Sequence, residues 1–131
     1  MITGIGVDMV TVRRMERWSR QPGLLERYFH PEELAAAFSR GGTAALSLAA
    51  RFAAKEAFGK ALGRGLTGIV LKDIMVINHH NGRPGMQVFG TALSALRQSG
   101  ANRIHLSLTH ERDNAAAMVV LESVRMETEV P

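Results

Sequence analysis

Asp8 and Glu56 lie 48 residues apart, one in the segment GIGVDMV and the other in RFAAKEAFGKALGRG, and Lys60 follows Glu56 by one helical turn. Together they look like half of a magnesium site. Mg²⁺ takes one or two protein carboxylates and completes its octahedron with water and substrate phosphate oxygens. Two acids, nearby cations and glycine-rich backbone therefore suit a bound diphosphate. The same residues have plainer uses. Glu56 and Lys60, four apart in the favourable order, would make an exposed helix pair worth about 0.2–0.5 kcal/mol. Asp8, at the exit of a strand, would cap the helix that follows. The central segment is otherwise built of alanine, so it places its few charges selectively; Gly59, Gly63 and Gly65 are expected to keep bulk away from them.

The elements that must position these groups are legible in outline. Ile2, Gly4, Gly6 and Asp8 alternate with Thr3, Ile5, Val7 and Met9, which predicts a strand over 1–10. Its two glycines mark where another backbone or a ligand comes close. From Thr11 to about Arg20 the period becomes helical, and Pro22-Gly23 breaks it. A short helical piece follows at 24–29, and Pro31 opens another with Glu32 and Glu33 in its first turn, ending at Arg40-Gly41-Gly42. Thr43 is expected to cap a long helix running to about Leu62 and stopped by Gly63. Residues 69–78 read as strand, Asn81-Gly82 as a hairpin turn before 86–88, and 91–99 as an amphipathic helix. Ile104, Leu106 and Leu108 alternate, residues 111–114 turn, and Ala115 to Leu121 return as an antiparallel partner. No internal repeat is evident beyond a loose echo of strand, helix and hairpin, and the tail from Val124 is expected to fray.

Composition limits the classes. A chain of 131 residues is one domain by ordinary size, small for an enzyme that must build a deep pocket alone. It has no cysteine, which excludes disulfides, thiolate metal sites and cysteine nucleophiles. It opens without the basic leader and apolar run of a signal peptide, and no apolar stretch approaches membrane-spanning length; a soluble cytoplasmic protein without membrane contact is expected. Net charge is +4, and of sixteen cations only Lys55, Lys60 and Lys72 are lysine. Arginine grips carboxylate and phosphate through a planar fork, so the bias points to an acidic partner, to phosphates, or to both.

In order and spacing, the chain resembles the holo-acyl-carrier-protein synthases, the small bacterial 4′-phosphopantetheinyl transferases. The resemblance rests on Gly4-Ile5-Gly6-Val7-Asp8, on Arg51-Phe52-Ala53-Ala54-Lys55-Glu56-Ala57 with Lys60-Ala61-Leu62-Gly63 and Gly65, and on Asn81-Gly82-Arg83-Pro84. It closes with Leu106-Ser107-Leu108-Thr109-His110 before Ala115-Ala116-Ala117, and so covers residues 1 to about 122. The first segment alone could open many strands; the ordered pair with the central one is specific.

The resemblance implies an α+β, 4′-phosphopantetheinyl transferase-like fold: a mostly antiparallel sheet wrapped on one long helix. Residues 1–123 would form the single domain and 124–131 a tail. The unit would be a homotrimer with active sites between subunits, so that the Ser107–His110 strand end faces a neighbour's Asp8 and Glu56. The implied reaction moves the 4′-phosphopantetheine arm of coenzyme A onto a serine of apo acyl carrier protein, releases adenosine 3′,5′-bisphosphate, and serves fatty acid biosynthesis. Asp8 and Glu56 fall on the family's Mg²⁺ ligands, and Lys60 on the lysine that contacts the reacting phosphate. Arg51, Lys60, Gly63, Gly65, Ser107, Thr109 and His110 are the implied coenzyme A contacts. The acceptor serine's proton would go to Glu56, directly or through water, with His110 as a second candidate of lesser weight than its coenzyme A role. His30, His79, His80 and His105 receive no role.

The arginines of the first helices then acquire a partner. Arg13, Arg14, Arg17 and Arg20, with Arg27 beyond the break, outweigh Glu16 and Glu26 and form a basic patch. In the family this helix grips the acidic helix of the carrier protein, and Arg14 matches best. Trp18 or Met15 would supply an apolar anchor, with Met15 favoured for the core. The segment before the long helix keeps only Arg40 where relatives are more basic, so Arg51 is the candidate that compensates at the 3′-phosphate. Two rival classes fit less well. A nucleic-acid module would need stacking aromatics and a basic motif, and aromatics are only 5% here. A non-catalytic partner-binding protein leaves Asp8 and Glu56 without purpose.

Overall fold

In the computed structural model, which describes residues 1–39 and 41–125, Arg40 and the tail beyond Arg125 fall outside the described residues. Strand β1 (Ile2–Thr11) turns Gly4, Gly6, Asp8 and Val10 to one face and Ile5, Val7 and Met9 to the other. It pairs antiparallel with β5 (Asn114–Glu122), which pairs antiparallel with β4 (Arg103–His110), giving the sheet order β1-β5-β4. Helix α4 (Ala44–Ala61) lies against the inner face of this sheet. Alanine favours helix and lets backbones approach. Ala49, Ala53, Ala54 and Ala57 on α4 are fully buried, as is Ala115 on β5, with Val119 and Leu121 enclosed beyond it. Gly63, just past the C-cap Leu62, adopts a left-handed φ of 79° and ends the helix.

Strands β2 (Ile74–Asn78) and β3 (Pro84–Val88) form a separate antiparallel hairpin through Asn81-Gly82. The strand expected from residue 69 starts five residues later, because a 3-10 turn at Leu71–Asp73 serves the next helix instead. Asp73 accepts from the backbone N–H and the hydroxyl of Thr91, and so ties the start of α5 (Gly90–Gln98) to this turn.

Helices α1 (Val12–Ser19), α2 (Leu24–Tyr28) and α3 (Pro31–Phe38) complete the core around Phe29, Phe58, Met15 and Leu48. The cap of α1 is Thr11, whose hydroxyl accepts from Arg14 N–H at 3.3 Å, not Asp8. Asp8 sits inside β1 opposite Ala117, because the strand runs three residues past it. His30, expected to be a loop position, caps α3: its ring accepts from Glu32 N–H while Glu33 reaches back to the His30 N–H. Among the described residues the strands thus form two antiparallel sheets rather than one, and α4 packs against the three-stranded sheet and α1.

Candidate active site

The acids meet where β1 crosses α4. A Cβ on Gly4 would stand 1.9 Å from the Ala61 carbonyl oxygen, and one on Gly6 would stand 1.9 Å from that of Ala57. No side chain fits at either place, so these glycines seat the strand directly on the helix backbone. The next inward position after Gly6 is Asp8, which therefore emerges beside the α4 face that carries Phe52, Glu56 and Lys60.

Lys60 Nζ donates to Asp8 Oδ1 at 2.8 Å, so this lysine pairs across to the strand rather than along the helix to Glu56. The Lys60 side chain is 53% exposed and that of Asp8 18%, which leaves the pair within reach of a ligand. The Glu56 carboxyl lies above its ordinary range, raised first by burial and then by the Asp8 charge, while Arg14 and Lys60 pull it down. The Lys60 ammonium is held above its usual range, chiefly by its hydrogen bond to Asp8. Among the described residues, no three His, Asp or Glu side chains gather into an all-protein cage. Two like-charged acids that disfavour each other, open on one side, are the donor set Mg²⁺ takes when phosphate and water supply the rest.

A second feature lies apart from this crossing. A groove of about 390 Å³ runs between the first half of α4, the β2–β3 hairpin and the end of β4, with Ser47, Arg51, Asn78, Pro84, Leu108 and His110 in its wall. Asp8, Glu56 and Lys60 do not line it. Arg51 and His110 are thus brought together. Ser107 and Thr109 are not, because alternate residues of β4 point to opposite faces: Leu108 turns inward with Ala117, whereas Ser107 sits outward beside the exposed Met118. Gly63 and Gly65 form the turn after α4 with φ of 79° and 72°, next to Lys60. Gly59 does not leave room for charges: a Cβ there would meet Gly65 backbone at 2.8 Å and Leu66 at 2.9 Å, so its space is filled by the turn.

Two of the motif's cations are also not where a charged helix face would put them. Lys55 is fully buried and Arg51 is 4% exposed. Both turn toward Glu33, a buried acid that sequence reasoning read only as a first-turn partner of the helix dipole. The signal that could have found it is its place as N3 of a capping box, with Pro at N1 fixing the turn.

Of the basic surface, Arg13, Arg17, Arg20 and Arg27 are exposed. Arg14 is half-buried, its guanidinium carbon 4.8 Å from the Trp18 ring centroid and 4.9 Å from that of Phe52. Trp18 in turn packs on Tyr28 at 5.1 Å, and Met15 is wholly in the core. Arg14 therefore stands between the basic patch and the acids. No described helix is long and apolar enough to cross a membrane.

Residues 4–119 match the family model described as the 4′-phosphopantetheinyl transferase superfamily. The chain is 58% identical over 122 residues to a holo-[acyl-carrier-protein] synthase of Treponema denticola, covering 93% of this chain and 99% of that one. Its fold is similar to the crystal structure of the holo-[acyl-carrier-protein] synthase from Neisseria meningitidis, with a TM-score of 0.82, 38% identity, and coverage of 94% and 100% of the two chains. It is also similar to the Bacillus anthracis enzyme in complex with CoA (3′,5′-ADP), with a TM-score of 0.79, 33% identity and coverage of 95% and 99%.

Proposed function

The chain belongs to the 4′-phosphopantetheinyl transferase superfamily, and from this premise we infer that it transfers the 4′-phosphopantetheine group of coenzyme A to a serine of apo acyl carrier protein. The observation that carries the reading is the meeting of Asp8, Glu56 and Lys60 at a crossing that only Gly4 and Gly6 permit. In this reaction the serine Oγ attacks the phosphorus that bears the pantetheine arm. An Oγ–P bond forms, the bridging P–O bond of the diphosphate breaks, and adenosine 3′,5′-bisphosphate leaves.

Asp8 and Glu56 would hold Mg²⁺, which when bound supplies positive charge to the diphosphate oxygens. Lys60, on an exposed and flexible stem, adds a second cation at the same place and stabilises charge on the phosphate as it develops. Glu56 takes the serine proton, directly or through water. The protein need not supply a nucleophile, since the serine arrives on the partner.

The groove with Arg51 and His110 suits the nucleotide end of coenzyme A, and Gly63 and Gly65 place backbone next to Lys60 for the diphosphate. The exposed arginines 13, 17, 20 and 27 suit an acidic carrier-protein helix, with Arg14 where the two sites meet. A trimer with shared sites is supported by the outer sheet face. There Ile5, Val7, Met9 and Met118 are 61%, 56%, 66% and 47% exposed, with Val7 directly opposite Met118. An apolar patch of this kind marks a protein contact. Ser107 and Thr109 share that face, so a neighbouring subunit is the partner they would serve. We place the enzyme in the cytoplasm, in the service of fatty acid biosynthesis.

The test is incubation with coenzyme A, Mg²⁺ and an apo carrier protein, with mass spectrometry to find the added arm. No modification in the presence of both substrates would end the reading. Mixing inactive E56Q and H110A subunits tests the shared site: recovered activity supports it, and none counts against it.

A further inference from the structure

Two acids meet two cations where β1 crosses α4, and the two pairs are held in different ways. Asp8 has Ala117 as its cross-strand neighbour, which offers no polar side chain. Among the described residues, its carboxylate takes a side-chain hydrogen bond from Lys60 alone, 2.8 Å from Nζ to Oδ1. Glu56, four residues before Lys60 on the same helix, would be the easier partner for that lysine. Glu56 faces Arg14 instead: burial and the Asp8 charge raise its carboxyl, and the Arg14 charge draws it down ahead of Lys60.

The cations differ in freedom. The Arg14 guanidinium lies against two aromatic rings, 4.8 Å from the Trp18 centroid and 4.9 Å from that of Phe52. Contacts of this kind hold a cation in place. Lys60 is 53% exposed on a flexible four-carbon stem, and the Asp8 carboxylate is what fixes its end. The crossing thus carries two negative and two positive charges before any ligand arrives. A divalent ion entering it meets its own sign of charge, and the ammonium sits on an oxygen of the acid that would bind the ion. The clamped arginine stays, whereas the lysine is free to swing out.

We propose that Lys60 is a displaceable counter-ion for Asp8, which holds the acid in position and gives way when a divalent cation binds there. The lysine competes with Mg²⁺, so the crossing binds the ion alone less tightly than its two acids would without it. The inference rests on the magnesium part of the reading above and goes beyond it, since it gives Lys60 a task at the metal before any phosphate is present.

The test titrates Mg²⁺ alone into wild type, K60M and K72M, by calorimetry and by the rise in melting temperature that a bound ion gives. Both lysines are exposed, so the three proteins fold alike. K60M should bind Mg²⁺ about fivefold more tightly than wild type, the scale of one exposed charge pair. K72M loses the same charge in the turn at Leu71–Asp73, and should stay within about twofold of wild type. A K60M that binds no more tightly than wild type overturns the inference. So does a K72M that gains as much as K60M, since net charge alone would then explain the effect. If neither wild type nor K60M takes up the ion, the magnesium reading itself fails, and the inference with it.

Discussion

Lys55 and Glu56 are consecutive on α4, yet they belong to clusters of opposite character. Lys55 is sealed against Glu33 and two carbonyls, with every contact satisfied inside the protein. Glu56 stands half-exposed beside Asp8, a like charge that helps raise its carboxyl above the ordinary range. One cluster spends its charges on holding α3, α4 and β2 together. The other keeps two acids in mutual repulsion, which a bound cation would relieve. A helix makes this possible because neighbouring residues point about a quarter-turn apart. The motif RFAAKE therefore interleaves residues of the scaffold with residues of the chemistry.

The sharpest way to break that contrast is to neutralise each cluster. E56Q or D8N should lower kcat by roughly 10³-fold, the scale of losing one element of electrostatic stabilisation, while the fold persists. A variant that kept more than a tenth of wild-type turnover would erase the distinction. E33A should do the reverse. Stranding Lys55 and Arg51 without their carboxylate should cost about 3–5 kcal/mol of stability in denaturant unfolding. A loss below about 1 kcal/mol would show that the buried cluster is not what joins these elements.

A smaller effect links scaffold to chemistry. G6A forces a Cβ against the Ala57 carbonyl, and overpacking of this kind costs about 1–3 kcal/mol. Because the strand must lift, Asp8 moves with it, and kcat should fall more than the stability loss explains. Unchanged kcat in a destabilised G6A would mean that the glycine contact does not set the acid's place. Smaller again is R17E, at an exposed position of the first helix, which should raise the carrier-protein KM several-fold in a salt-sensitive way and leave the coenzyme A KM unmoved. The opposite pattern in the two KM values would defeat the docking assignment of the first helix.

Much of this arrangement could be read from the chain, and the limits have a physical pattern. The glycine alternation of β1, the alanine run of α4 and the closing β4–β5 pair carry their own period, so Asp8, Glu56 and Lys60 could be placed on elements directly. Partners joined across long separations could not. Lys60 meets Asp8 instead of Glu56, and Glu33 meets Lys55, 22 residues away, because tertiary packing brings them together. Local spacing carries no such information. Strand parity does carry one such division: Ser107 and Thr109 differ in parity from His110, so a strand must send them to the other face. The turn at Leu71–Asp73 was hidden for another reason, since its apolar residues read as strand until Thr91 is seen to bind Asp73.

The least effect is also the one that most sharpens the contrast, because it concerns the sign of a charge's contribution to stability. The Glu56 carboxyl is raised from its ordinary value of 4.5 in the folded protein. The native state therefore holds this proton more tightly than the unfolded chain does. As pH rises through the unfolded value and then the raised folded value, the unfolded state releases its proton first, and stability falls. At neutral pH the ionised Glu56 is a net burden, and E56Q should melt at a slightly higher temperature than wild type. Below the ordinary carboxylate range both forms are neutral and the difference should vanish. Mg²⁺ with coenzyme A should also close the gap, since ligands that favour the ionised acid stabilise only the wild type. An E56Q that melts lower at neutral pH would place Glu56 with the satisfied charges of the scaffold. The division between the two faces of α4 would then be lost.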